Sequence, residues 1–273
     1  MYRILIPVDF SDYSEYALEI ACSIAREMNG QIVLLHMMGL SESVYDKNEA
    51  QEYKEAMYYM GLSKKRFKSF LDKPYTKGIK ITEIVQNYKV FSELDNVSRE
   101  QNIDLIIMGS QGAKGLDEVF VGSNAEKVVR TSEVPVLVVK SPNPNFKIKR
   151  IVFASDFKVE GLEALKKTIN FSKLFSAELL LLYVNTPGNK FLRTLEIEEK
   201  ISEFQDKLGT NLKVIVYDDY NVELGILNYC THNKVDLIAL PTHGRKGLPH
   251  FLMGSIGEDL ANHSTLPVLT IKM

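Results

Sequence analysis

Tryptophan is absent from the chain, and cysteine occurs only twice, at Cys22 and Cys230. Two cysteines cannot build a disulfide framework, and neither stands at metal-ligand spacing from a partner. Each lies among apolar residues in a helical pattern, so both read as reduced core thiols. No apolar run approaches the roughly 18 residues of a membrane span. Charge of one sign is also missing. The 33 Lys and Arg against 35 Asp and Glu leave a net charge of −2, which gives no general footprint for nucleic acid. Met1-Tyr2-Arg3-Ile4-Leu5-Ile6-Pro7 reads at once as a strand, without the charged lead and cleavage site of a secretory leader, and cytoplasm is the expected compartment. Two familiar nucleotide loops are lacking as well. There is no G-x4-G-K-[ST], and no G-x-G-x-x-G follows the first strand, which excludes a P-loop NTPase and the usual dinucleotide site.

What is present is a repeat. Arg3-Ile4-Leu5-Ile6-Pro7-Val8-Asp9-Phe10 aligns with Arg150-Ile151-Val152-Phe153-Ala154-Ser155-Asp156-Phe157 at an offset of 147 positions. Toward the end of each half the offset becomes 132, and 15 of 38 positions are identical between Ile103 to Lys140 and Val235 to Lys272. The second copy is therefore the first with 15 residues removed from its middle. A chain of 273 residues is long enough for two domains with separate cores. Ser141-Pro142-Asn143-Pro144-Asn145 has the composition of a linker. The expected domains are 1–141 and 146–273.

Within copy one the pattern predicts strand 3–8, helix 12–29 ending at Gly30, strand 31–37, helix 48–71, strand 79–86, helix 91–101, strand 104–108, helix 123–131 and strand 135–140. Copy two repeats it with shorter middle elements. Near-continuously apolar strands alternating with helices indicate a parallel sheet covered on both faces. The fold class is α/β, with two doubly wound Rossmann-like domains in tandem. In the first helix Ser11 or Asp12 can cap the start, Ala17, Ile20, Ala21, Ile24 and Met28 form one apolar stripe, and Gly30 suits the C′ position.

Ligands of such sheets collect beyond the carboxyl ends of the strands, where Asp9, Met37, Gly109 and Gly112 all fall. Asp9 can accept from an exocyclic amine or a ribose hydroxyl, and the Met37 backbone can meet a base edge. Gly109-Ser110-Gln111-Gly112, then nine residues, then Gly122-Ser123 stands between an apolar strand and a helix. Glycines let peptide N–H groups approach an anion, and a helix N-terminus adds unpaired donors and a positive dipole end. One or two glycines suffice for a turn; three and a serine at this spacing are better explained by phosphate.

Pro7-x-Asp9 followed by Phe10-Ser11, Leu35-His36 at the second strand, and G-x2-G-x9-G-S together resemble the universal stress protein family, in tandem form across essentially the whole chain. In that family the glycine pattern marks members that bind ATP, and the aspartate after strand one contacts adenosine. The resemblance implies ATP with Mg2+, or AMP or another adenine nucleotide. Asp9 and the Met37 backbone would hold adenosine, with Pro7, Val8 and Met108 in the same set. Gly109, Gly112, Gly122, Ser123 and Asn124 would surround the phosphates. It further implies a sensor or regulator in stress response that binds nucleotide with at most slow hydrolysis, an intramolecular version of the family's dimer, and an unidentified protein partner. A homodimer of the whole chain is compatible with it. A slow ATPase and a nucleotide-free interaction module are the alternatives.

Copy two departs from the motif where Pro241 replaces the first glycine. Asp156, Val184, Gly244, Gly254 and Ser255 remain, which makes a weaker site. No Ser, His and acid set converges by position, and the five histidines show no metal spacing. His36 reads as a structural strand-end residue, and Asp218-Asp219 as a solvated turn. Ser41 to Lys77 is the longest unrepeated stretch. Its aromatics and basic residues read as a helix with one face packed and one solvated, with a lid or a partner surface as the other readings. The last strands, 135–140 and 267–272, are expected to pair with each other.

Overall fold

The computed structural model describes residues 1–38, 49–86, 93–110, 123–144, 146–242 and 264–273. Packing divides the chain into two compact units, Met1–Gly109 with Ser141–Phe146, and Ser110–Lys140 with Lys147–Met273.

The first unit runs β1 (Arg3–Pro7), α1 (Asp12–Glu27), β2 (Gln31–Met37), α2 (Glu49–Leu71), β3 (Lys80–Gln86), α3 (Glu93–Glu100) and β4 (Leu105–Gly109). Its strands lie in the order β3-β2-β1-β4. The pairings of β1 with β2, β1 with β4 and β2 with β3 are all parallel. The apolar runs Ile4-Leu5-Ile6 and Leu105-Ile106-Ile107-Met108 are buried, as strands of a sheet covered on both faces require. At the edge, β3 exposes Lys80 and Glu83, charges that discourage further strand addition.

Ser11 caps α1, its hydroxyl accepting from the Ser14 N–H. The other end differs from expectation. The left-handed residue after the helix is Asn29, with φ of 46°, and not Gly30. Asparagine tolerates that conformation through its short polar side chain. Gly30 has another reason to be glycine: a Cβ there would stand 2.7 Å from the Tyr2 carbonyl oxygen, which accepts from the Gln31 N–H. In α2, Ser63, Phe67 and Phe70 are buried, whereas Lys64, Lys65, Arg66 and Lys68 are exposed. One face packs and the other is solvated. In its middle Met57, Tyr58, Tyr59, Met60 and Leu62 are exposed.

The second unit holds α4 (Ser123–Thr131), β5 (Val136–Val139), β6 (Arg150–Ala154), α5 (Leu162–Leu174), β7 (Glu178–Asn185), α6 (Thr194–Leu208), β8 (Lys213–Asp218), α7 (Val222–His232), β9 (Leu237–Thr242) and β10 (Val268–Lys272). Their order is β5-β10-β9-β6-β7-β8. Pairing is parallel except between β5 and β10, which run antiparallel. Although α4 and β5 carry first-copy sequence, that ladder with β10 places them in the second unit. Thr270 Oγ1 adds a bond to the Val136 carbonyl, 3.2 Å.

The repeat extends to backbone detail that composition does not reveal. Phe10 and Phe157, 147 positions apart, have φ of 66° and 58°. Asn29 and Ser176 stand at 46° and 50°, and Asn102 and Lys234, at the later offset, at 48° and 52°. Among the described residues, no helix is long and apolar enough to cross a membrane.

Candidate functional site

In the first unit the strand order reverses between β1 and β4. That is the switch point at which doubly wound sheets open a crevice beyond their carboxyl ends. Asp9 stands there, two residues past β1. Its Oδ1 accepts from the Ser11 N–H (3.0 Å), the Ser11 hydroxyl (2.6 Å) and the Ser14 hydroxyl (2.5 Å). Partial burial pushes the carboxyl up, but the hydrogen bonds from Ser11 and Ser14 together outweigh it and hold the group below its usual range. Asp9 is thus a charged acceptor fixed through one oxygen by neutral donors. Sequence reasoning named Asp9 and missed the part played by Ser14; the signal was the D-x-S-x-x-S spacing before a helix.

The turn after Asp9 is held by Phe10, whose left-handed backbone sends the ring into an aromatic cluster. Its centroid lies 4.6 Å from His36, 5.1 Å from Phe67 and 5.6 Å from Phe70. His36 Nδ1 lies 2.8 Å from the Val8 carbonyl oxygen, so this histidine ties β2 to the turn after β1. Copy two repeats the arrangement with Phe157 against Tyr183 at 5.4 Å and Phe204 at 5.5 Å.

The remaining site candidates sort by place. Pro7 ends β1, and the Val8 N–H donates to the Leu35 carbonyl at 2.9 Å. Met37 ends β2, next to β1. Met108 is buried in β4, and Gly109 ends that strand. Pro7, Asp9, Met37 and Gly109 therefore share the carboxyl edge of one sheet. A Cβ on Gly109 would lie 2.1 Å from the Tyr13 carbonyl oxygen, so glycine here is needed for α1 to pack over β4. In the second unit Ser123 opens α4 and Asn124 follows it. Gly112, Gly122, Gly244, Gly254 and Ser255, with His243, His250 and His263, lie outside the described residues.

In copy two, Asp156 and Val184 line one cavity of about 280 Å³ at the carboxyl ends of β6 and β7. Asp156 differs from its counterpart. Its Oδ2 pairs with the Lys158 ammonium at 2.8 Å, and its Oδ1 accepts from the Lys158 N–H at 3.3 Å. Lys190 and Lys200 line the same cavity. Pro241 lies within β9, beyond the point at Ala239 where pairing with β6 ends.

Asp218 accepts from the Asn185 amide, and Asp219 from the Asn228 amide and the Tyr220 N–H. Among the described residues, no three His, Cys, Asp or Glu gather at metal-binding distance. Burial raises the thiols of Cys22 and Cys230 to about 12.

Two doubly wound halves, each with an aspartate just past its first strand at the switch point, define a tandem α/β protein. The model of the universal stress protein family matches residues 1–140 and again 147–272, and the chain belongs to that family. Universal stress protein YxiE of Bacillus subtilis is 30% identical over 147 residues, covering 50% of this chain and 98% of that protein. Universal stress protein Slr1230 of Synechocystis is 24% identical over 309 residues, covering all of both chains. Among solved structures, a universal stress protein from Archaeoglobus fulgidus superposes with a TM-score of 0.69 at 22% identity, covering 99% of this chain and 98% of that one. That likeness is one of fold.

Proposed function

We propose that the first copy binds ATP, accompanied by Mg2+, and that the chain is a nucleotide-dependent sensor or regulator in stress response. The observation that carries this reading is the pairing of β1 with β4 at the switch point, which sets Asp9 and Gly109 at neighbouring strand ends. From Gly109 the G-x2-G-x9-G-S pattern leads to Ser123, the first residue of α4, and a helix start offers N–H donors to phosphate. Asp9 keeps its charge and commits one oxygen to Ser11 and Ser14, which leaves the carboxylate competent to accept from adenosine. Pro7, Val8, Met37 and Met108 complete the adenosine set, and Gly112, Gly122, Ser123 and Asn124 the phosphate set.

Copy two is the weaker site for nucleotide. Pro241 has no N–H to donate, and a hydrogen bond to a charged group is worth about 1.5–3 kcal/mol, or roughly ten- to a hundredfold in affinity. The domains in this reading are the sequence repeats, 1–141 and 146–273, acting in the cytoplasm. Mass analysis of small molecules released from the purified protein tests the ligand without assuming it: an adenine nucleotide is expected. A multiple-turnover phosphate-release assay with Gly122→Val as control distinguishes binding from enzymatic turnover. Glycine-dependent release on the scale of seconds would overturn the regulator reading in favour of an ATPase. The absence of any bound or titratable nucleotide would leave an interaction module.

A further inference from the structure

The cavity of copy two has the place of a nucleotide pocket and a different chemistry. At its mouth the two copies differ in the residues that flank the aspartate and in the helix packed beside it. Ser11 and Ser14, the neutral donors that fix Asp9, are replaced at the 147 offset by Lys158 and Gly161. The Asp156 carboxylate is accordingly bound at both oxygens by Lys158, through its ammonium and its peptide N–H. A ligand amine or ribose hydroxyl that seeks an acceptor meets an ion pair in place of an open carboxylate oxygen.

A second change comes from the helix. Phe67 in α2 and Phe204 in α6 play the same part, each set against the left-handed phenylalanine of its own copy. Four residues before them stand Ser63, which is buried, and Lys200, which lines the cavity. Lys190 adds a third ammonium, so the lining carries three lysines against the single Asp156. Behind this charged rim the wall is apolar, with Leu182, Val184, Val222 and Ile226 prominent. The cavity of about 280 Å³ has room for about nine water molecules at roughly 30 Å³ each. Apolar walls with a few convergent charges are the general form of a small-molecule site.

We propose that the second copy holds a small amphipathic anion, an apolar body with a carboxylate or phosphate monoester head, in the place where the first copy is read to hold adenosine. The head faces Lys158, Lys190 and Lys200, and the body lies against Leu182, Val184 and Ile226. The inference does not depend on the first copy binding ATP.

Calorimetric titration of the full chain with octanoate, octyl phosphate and octanol tests it. One site per chain is expected for an anion, and whichever of octanoate and octyl phosphate binds tighter identifies the head group. Octanol, with the same body and no charge, is expected to bind at least tenfold more weakly. Lys190→Glu with Lys200→Glu, both at exposed positions, weakens the anion at least tenfold, and Val222→Trp, which fills the cavity, removes binding. Far-ultraviolet circular dichroism of both variants matches that of the parent chain and each melts cooperatively, which shows that the fold is intact. Anion binding unchanged by the charge reversal, octanol as tight as octanoate, or no anion binding at millimolar concentration would each overturn the proposal.

Discussion

Leu137 lies directly opposite Leu269 in the antiparallel pair of β5 and β10, and the two are the same position in the two copies, 132 residues apart. A local twofold axis therefore passes between them, as in an isologous dimer interface. Contacts near the axis should come in pairs, and one does not. Lys272 forms an ion pair with Glu133 at 2.5 Å. The symmetry-related pair would join Lys140 to residue 265, and that residue is threonine. Lys140 Nζ is buried without a hydrogen-bond partner among the described residues, and burial lowers its pKa to about 8.

This broken symmetry sets a pH dependence. The folded state releases the Lys140 proton near pH 8, whereas the unfolded chain keeps it to about 10.4. Between those values the unfolded state binds more protons, so stability rises with pH, and below pH 8 the full cost of a buried ammonium is present. Thr265→Glu restores the missing acid. Thermal melts should show a gain of about 0.5–1 kcal/mol at pH 7, or roughly 1–4 °C, and a smaller rise between pH 8 and 10 than the parent shows.

Gly109→Ala separates the packing role of this glycine from any role in phosphate binding. The added Cβ would collide with the Tyr13 carbonyl, a backbone atom that cannot swing aside. Urea unfolding without nucleotide is expected to show a loss of about 1–3 kcal/mol, as overpacking does. An unchanged midpoint would mean that α1 does not sit over β4 as described.

Asp9→Ala removes the acceptor that organises Ser11 and Ser14, at a cost of about 1 kcal/mol by analogy with helix caps. Because the folded carboxyl is held below its usual range, its contribution is present above the unfolded value near 3.9 and is lost as pH falls through the folded one. The stability gap between parent and variant should thus be constant from pH 7 to 5 and close below about pH 4.

Cys22 and Cys230 are buried, and burial lifts both thiols to about 12. Thiolate is the reactive form. Ellman's reagent at pH 8 should therefore label neither cysteine in the native chain and both in guanidinium.

Much of the architecture was legible because its signals are strong and redundant. Runs such as Ile4-Leu5-Ile6 and Leu105-Ile106-Ile107 return in copy two, and a repeat tests each element twice. Asp9 could be singled out by its place after the first strand. What escaped was local and conformational. The left-handed backbone of Phe10 and Phe157 is unusual for a bulky side chain, and nothing in composition announces it. Gly30 looked like a helix stop because glycine suits C′, yet close approach to Tyr2 is what requires it. The role of Lys158 was hidden because it depends on the side chain folding back onto Asp156 within a turn.

The central claim is most directly tested by calorimetric titration of MgATP into the full chain and into Gly122→Val. The account predicts one strong site per chain, lost in the variant, with any second site at least tenfold weaker. Two sites of equal affinity, a Gly122→Val variant that binds as well as the parent, or heats indistinguishable from buffer would contradict it.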